Sequence, residues 1–161
     1  VGVQVLPRPS ELCFDEVPMA PVLLQVLQSE QVKGPVVLLQ ATSPLREVSD
    51  VRAALKCLAT GDFDLVMSVT EADRGVLKWG QVRPDGRFVP LSSPEHCFAN
   101  RQSLPRVYKP NGAVYALQAE WFVAHGSFVS ERIGSVPMPV ERSYDIDTLA
   151  DFERCEQLLT S

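Results

Sequence analysis

The run PVVLLQ, residues 35–40, decides the fold because it is apolar at consecutive positions and follows a glycine. A strand buried on both faces of a parallel sheet has this pattern. Residues 64–70 (DLVMSVT) and 112–118 (GAVYALQ) have the same character. Apolar residues at helical spacing occur in 17–30, 48–60 and 148–159. Strands that alternate with helices predict an α/β layered fold with a largely parallel sheet.

Shorter segments complete the predicted outline. Residues 2–6 read as a strand that ends at Pro7, and 119–124 as a short helix. Residues 133–140 predict an edge strand, because their prolines cannot serve a central ladder. Residues 76–91 alternate around a Pro-Asp-Gly turn, a hairpin signal, and 92–107 are irregular. In the last helix we expect an inward apolar set: Leu149, Phe152 and either Leu158 or Leu159.

The composition is that of one ordinary globular domain. The chain has 161 residues, 45% hydrophobic and 22% charged. A net charge of −5 argues against a nucleic-acid partner, and no apolar run reaches the roughly 18 residues of a membrane span. The four cysteines form no CxxC pair, so we expect no zinc site and a reducing, cytoplasmic compartment, or the nucleus in an animal.

Two motifs lie at strand ends, where open α/β sheets bind ligands. LLQATSPLR (38–46) leaves the sheet at Gln40, whose amide both donates and accepts hydrogen bonds. YKPNGAVY (108–115) enters the third strand through a Pro-Asn-Gly turn flanked by Tyr108 and Tyr115. The alternative for each stretch is a plain connecting loop whose polar residues satisfy the local backbone, and residue types alone favour it for LLQATSPLR.

The third motif, SYDIDTLAD (143–151), places Asp145 and Asp147 two residues apart. In an extended segment such side chains share one face, where two carboxylates can bind a hard cation such as Mg²⁺. The alternative is a helix start, with Asp147 or Thr148 as the N-cap.

Basic side chains are concentrated in the middle of the chain. Arginine matches a carboxylate in a two-pronged geometry, and lysine is a looser point charge. The alternative for each of these residues is solvated surface charge; they are Lys78, Arg101, Arg106 and Lys109.

Taken in order, LLQATSPLR, NRQSLPRVYKPNGAVY (100–115) and SYDIDT (143–148) resemble the acylneuraminate cytidylyltransferases, the CMP-sialic acid synthetases. The resemblance begins near Leu6, with LPRPSEL, and continues to the end of the chain. It implies a three-layer αβα sandwich like that of other nucleotide-diphospho-sugar transferases, in a homodimer. It also implies a single domain over 1–161, within which 76–107 is the dimerisation extension.

The resemblance implies an enzyme that transfers CMP from CTP to the 2-hydroxyl of sialic acid or a related nine-carbon acidic sugar. Pyrophosphate is released, and Mg²⁺ is the cofactor. Asp145 and Asp147 resemble the catalytic metal-binding pair, and Arg8 resembles an arginine at the nucleotide. The residues that resemble the sugar site are Gln40, Lys78, Arg101, Asn111, Tyr115 and Phe128.

The chain departs from the family at its N-terminal side. A triphosphate needs a cradle of backbone N–H groups and basic side chains, yet the first lysine is Lys33 and the only early glycine is Gly2. Pro18 and Met19 stand where relatives carry two serines. We therefore expect either a piece of a longer synthetase or a non-catalytic sugar-binding or dimerisation module, and little CMP-sugar formation by this chain alone.

Overall fold

A computed structural model describes residues 2–160, which form a mixed α/β fold. The helices are α1 (Met19–Ser29), α2 (Val48–Leu58), α3 (Ala119–His125) and α4 (Leu149–Thr160). The strands are β1 (Pro35–Leu38), β2 (Leu65–Ala72), β3 (Gly80–Val82), β4 (Phe88–Pro90), β5 (Val107–Gln118) and β6 (Ile133–Pro137). None of these helices has the length and apolar character that crossing a membrane requires.

The main sheet has the strand order β1-β5-β2-β6. The prediction of a largely parallel sheet is wrong for its pairings, because β5 lies antiparallel between β1 and β2 and only β2 and β6 pair in parallel. An apolar run reports that both faces of a strand are buried, and it carries no information about direction. The carboxyl ends of β1, β2 and β6 nevertheless share one edge of the sheet with the beginning of β5.

The two faces of the sheet carry separate apolar clusters. One joins α2 to Val66, Val114 and Met138, and the other joins α1 and α3 to Leu65 and Leu117. Neighbouring residues of a strand point to opposite faces, so helices pack against both sides of the sheet.

The predicted strand at 2–6 is wrong: the structure assigns no strand there, and Val3 and Val5 are 83% and 85% exposed. The inward set predicted for the last helix is also wrong. Leu149 and Phe152 are exposed, as are Leu158 and Leu159, and Cys155 is the buried residue of α4. The predicted hairpin is confirmed, since β3 and β4 pair antiparallel around the Pro-Asp-Gly turn.

Candidate functional site

A cavity of about 820 Å³ lies at the edge of the sheet where β2 ends and β5 begins. Four segments supply its walls: the end of β2, the short helix Arg74–Lys78 together with Trp79, the first residues of β5, and the segment before α4. The lining residues are Thr70, Glu71, Ala72, Asp73, Val76, Trp79, Val107, Tyr108, Lys109, Val140, Ser143, Tyr144, Asp145 and Asp147.

Asp145 and Asp147 share one wall of this cavity, as their spacing predicts. Ile146, between them, lines a different cavity together with Pro44 and Cys155, which is the alternation of an extended segment. Within residues 2–160, neither carboxylate makes a hydrogen bond or an ion pair. The alternative of a helix start with Asp147 or Thr148 as the N-cap is confirmed for Thr148 and wrong for Asp147. Thr148 takes that position, because its Oγ1 accepts from the Asp151 N–H at 3.3 Å.

The LLQATSPLR motif lies directly beside these aspartates. The Ile146 N–H donates to the Thr42 carbonyl at 2.9 Å, which ties the two segments together. Arg46 holds the loop from within, since its guanidinium donates to the carbonyls of Gln40 and Ser43, each at 2.6 Å. The Arg46 guanidinium thus constrains the loop to which the Asp145 segment is bonded through Ile146.

The Pro-Asn-Gly stretch is a bulge inside a continuous strand, and the prediction of a turn that enters a strand at 112 is wrong. β5 already begins at Val107, and residues 111–114 form the irregular part of its pairing with β2. Ser68 fills the gap in the ladder, because its hydroxyl accepts from the Val114 N–H at 2.8 Å and donates to Asn111 Oδ1 at 2.6 Å. A bulge accommodates the extra residues that a tight turn was expected to hold.

Gly112 and Asn111 connect the bulge to the two other motifs. A Cβ at Gly112 would stand 2.5 Å from Gln40 Oε1, so the Gln40 amide lies against the bare backbone of this glycine. Asn111 is buried and its Nδ2 donates to Ser143 Oγ at 2.9 Å. The three motifs, far apart in sequence, therefore meet at one edge of the sheet.

Tyr115 and Phe128 form an aromatic pair beside this region, with ring centroids 6.1 Å apart. Burial, and after it the negative charge of Asp145, raises the pKa of the Tyr115 phenol. The phenol therefore stays protonated and can donate a hydrogen bond at neutral pH.

The basic residues predicted for the site are placed unevenly. Arg101 lies next to the cavity, where its guanidinium pairs with the Asp73 carboxylate at 2.7 Å. The Gly75 N–H, and after it Arg101, lowers the pKa of Asp73. Lys78 is half-buried between two cavity-lining residues, Val76 and Trp79. Arg8 is exposed in the N-terminal segment and does not line the cavity.

The cavity is acidic. Four carboxylates line it, those of Glu71, Asp73, Asp145 and Asp147, against one ammonium group, that of Lys109. No group of three or more His, Cys, Asp or Glu side chains suited to a metal occurs in residues 2–160. Two free carboxylates fit a Mg²⁺ ion that takes its remaining ligands from water and phosphate.

An ion-pair cluster that the sequence analysis missed connects the segment before α4 to helix α2. Arg142 pairs with Glu47 and, through two hydrogen bonds, with the buried Asp50 carboxylate of α2. Asp50 also accepts from the Glu47 N–H at 2.7 Å. An Asp three residues after a helix cap is a readable signal for that local bond, but its pairing with Arg142 joins positions that only the fold brings together.

No protein-family model matches the chain. It is 29% identical over 151 residues to an N-acylneuraminate cytidylyltransferase of Streptococcus agalactiae serotype V, covering 94% of this chain and 36% of that protein. It is 30% identical over 156 residues to the protein of the same name in Escherichia coli O18:K1:H7, with the same coverage. The chain thus spans about a third of these relatives, and the predicted resemblance to the acylneuraminate cytidylyltransferases is confirmed.

The fold is similar to a solved CMP:2-keto-3-deoxy-manno-octonic acid synthetase complexed with CTP. The TM-score is 0.64 at 14% identity, over 91% of this chain and 69% of that one. At this identity the likeness concerns the fold alone.

Proposed function

We propose that this chain carries the sugar-binding and metal-binding part of an N-acylneuraminate cytidylyltransferase, built as a three-layer αβα sandwich. In that reaction the 2-hydroxyl oxygen of a nine-carbon acidic sugar attacks the α-phosphorus of CTP. The bond to the β-phosphate oxygen breaks, pyrophosphate leaves, and the hydroxyl proton is lost. The observation that carries the proposal is the pair of unpartnered carboxylates, Asp145 and Asp147, beside the two other motifs of the resemblance.

Asp145 and Asp147 are the residues that would hold Mg²⁺. Bound there, the ion would neutralise phosphate charge and lower the pKa of the attacking hydroxyl. The chain's own part is to hold both carboxylates on one face and free of competing partners. An acidic wall has a further consequence, since a sugar carboxylate and a triphosphate would be repelled from it without a cation.

The sugar would be held by the residues around the bulge. Gln40 offers an amide at the strand end, and Tyr115 offers a protonated phenol beside the apolar ring of Phe128, which suits an N-acyl methyl group. Lys78 and Arg101 supply positive charge for the carboxylate, and Arg101 would exchange its bond to Asp73 for the sugar. Asn111 would act at the same rim. Its amide already binds Ser68 and Ser143, so its contribution includes holding the bulge in shape.

Arg8 is proposed at the nucleotide, and a homodimer is proposed through the hairpin extension. The hairpin exposes large apolar side chains that a second copy would cover: Trp79, Val82, Phe88 and Leu91, exposed by 52–73%. The alternative of a non-catalytic module keeps the sugar site and the dimer, and it differs in lacking CMP transfer.

The test is calorimetric titration of N-acetylneuraminate into the purified chain, with and without MgCl₂ and CTP. We expect binding that strengthens with Mg²⁺, and loss of this strengthening in Asp147→Asn. The matched control is Asp62→Asn, which removes the same charge from an exposed residue at the opposite end of β2. Equal behaviour of the two variants would remove Asp147 from the metal site. Pyrophosphate release by the chain itself would exclude the non-catalytic alternative.

A further inference from the structure

Thr70 is a buried polar residue of the cavity that none of the roles above uses. Its side chain is only 2% exposed, and its Oγ1 has no hydrogen-bond partner. Ser43 is the other residue with such an orphan hydroxyl in residues 2–160, but Thr70 is the one that lines the cavity. A buried hydroxyl without a partner destabilises a fold, so its presence calls for an explanation.

The fold itself gives no reason for a hydroxyl at this position. Valine has the same branched shape as threonine and the same preference for strands. It would fill the same space in β2 without burying an unpaired polar atom. The Ser68 hydroxyl, two residues earlier on the same strand face, is by contrast hydrogen-bonded to the bulge.

The neighbour of Thr70 across the sheet indicates what it faces. Thr70 stands directly opposite Lys109 in the antiparallel pairing of β2 with β5, so their side chains emerge on the same face. Both line the cavity, on the wall formed by β2 and β5. A hydroxyl donor on the same sheet face as an ammonium donor suits an oxygen acceptor of a ligand, and no carboxylate of the cavity is bonded to the Thr70 hydroxyl.

We infer that the Thr70 hydroxyl donates a hydrogen bond to an oxygen of the sugar acid, which makes Thr70 a further substrate-binding residue. This inference rests on the proposed function, because it takes the sugar acid as the occupant of the cavity. Lys109 is the cross-strand partner of Thr70 and would contact the same polar region of the ligand.

The test compares Thr70→Val and Thr70→Ser with the unaltered chain, using N-acetylneuraminate with MgCl₂ as the probe and thermal unfolding as the second measurement. Thr70→Val should bind the probe about fivefold to tenfold more weakly, while its melting temperature stays the same or rises. Thr70→Ser, which keeps the hydroxyl, should bind within about twofold of the unaltered chain. If Thr70 only supported the fold, a variant that binds the probe more weakly would also have a lower melting temperature.

Three outcomes would overturn the inference, and they differ from one another. If the unaltered chain binds and Thr70→Val binds equally well, the inference fails and the proposed function stands. If Thr70→Val melts at a lower temperature, the hydroxyl has a partner in the fold and is not reserved for a ligand. If the unaltered chain binds no N-acetylneuraminate at all, the proposed function and the inference fail together.

Discussion

Gly112→Ala should separate the stability of the fold from the shape of the site, and Gly61→Ala is its matched control. Both glycines have a left-handed backbone, with φ of +76° at Gly112 and +79° at Gly61. An alanine in that conformation costs about 1–2 kcal/mol. The surroundings differ: a Cβ at Gly61 meets nothing within 4 Å, whereas one at Gly112 meets Gln40 Oε1 at 2.5 Å.

The size of the extra effect at Gly112 follows from what must move. The clashing atom is the end of a flexible side chain, so Gln40 can rotate away at a cost of about 0.5–1.5 kcal/mol. Both variants should therefore melt lower, by about 2–8 °C for Gly61→Ala and by a few degrees more for Gly112→Ala. Sugar binding should behave differently. Loss of one hydrogen bond from a displaced Gln40 weakens binding by about tenfold in Gly112→Ala and leaves Gly61→Ala unchanged.

A double-mutant cycle identifies the source of the difference. In a Gln40→Ala background the side chain that clashes is gone, so Gly112→Ala should cost only the backbone strain, as Gly61→Ala does. Thermal unfolding and calorimetric titration of the four Gln40/Gly112 combinations measure both quantities. The reasoning is refuted if Gly112→Ala and Gly61→Ala weaken sugar binding equally, or if the effects at Gln40 and Gly112 are additive.

Three further predictions concern the surroundings of the site. Arg142→Met should lower the free energy of unfolding by about 2 kcal/mol in chemical denaturation, because it leaves the Asp50 carboxylate buried without its guanidinium partner. The control is Arg83→Met, which replaces an exposed arginine. An equal loss of stability in both variants would contradict a stabilising role for the Arg142–Asp50 pair. Val82→Glu should convert a dimer into a monomer in sedimentation analysis, because Val82 is 73% exposed on the hairpin and would lie in the proposed interface. Val129→Glu, at a position that is 84% exposed outside the hairpin, should leave the dimer intact. If the unaltered chain is a monomer, the proposed interface is refuted. The hydroxyl of Thr148, and after it the Thr148 N–H, lowers the pKa of the Asp151 carboxylate below its ordinary value of 3.8. The hydrogen bonds between Asp151 and Thr148 therefore stabilise the start of α4 fully above pH 3.8, and this stabilisation is lost as the pH falls through the lowered pKa. Asp151→Asn should abolish this part of the acid dependence in helicity measured by circular dichroism, and an unchanged acid transition would show that the cap does not contribute.

The sequence pattern predicted the elements well where local periodicity determines burial. The apolar runs became β1, β2 and β5, and the two-residue spacing of Asp145 and Asp147 placed both on one face. Direction and pairing were not predictable in this way. The direction of β5 depends on the strands beside it, and an isolated segment such as 2–6 forms no strand when nothing pairs with it.

Other predictions failed because residues far away in the sequence determine the local structure. Leucine and phenylalanine at helical spacing predicted the inward face of α4, but Cys155 is the buried residue of that helix and lines a small cavity together with Pro44 and Ile146. Pro-Asn-Gly is typical of turns, but here it forms a bulge in the pairing of β5 with β2, where Asn111 accepts a hydrogen bond from Ser68, 43 residues earlier. In both cases the local sequence pattern is real, but contacts with the rest of the fold determine which residues are buried and which backbone conformation the segment adopts.

The bulge explains why an asparagine suits position 111. Its Oδ1 accepts from the Ser68 hydroxyl, and its Nδ2 donates to Ser143 Oγ, which in turn donates to the Pro139 carbonyl. An aspartate could accept from Ser68 but has no donor for Ser143, and a serine is too short to reach both partners. One buried amide thus links β2 and the bulge of β5 to the segment that carries Asp145. The position of the carboxylates is therefore fixed by the same side chain that shapes the sugar-facing rim.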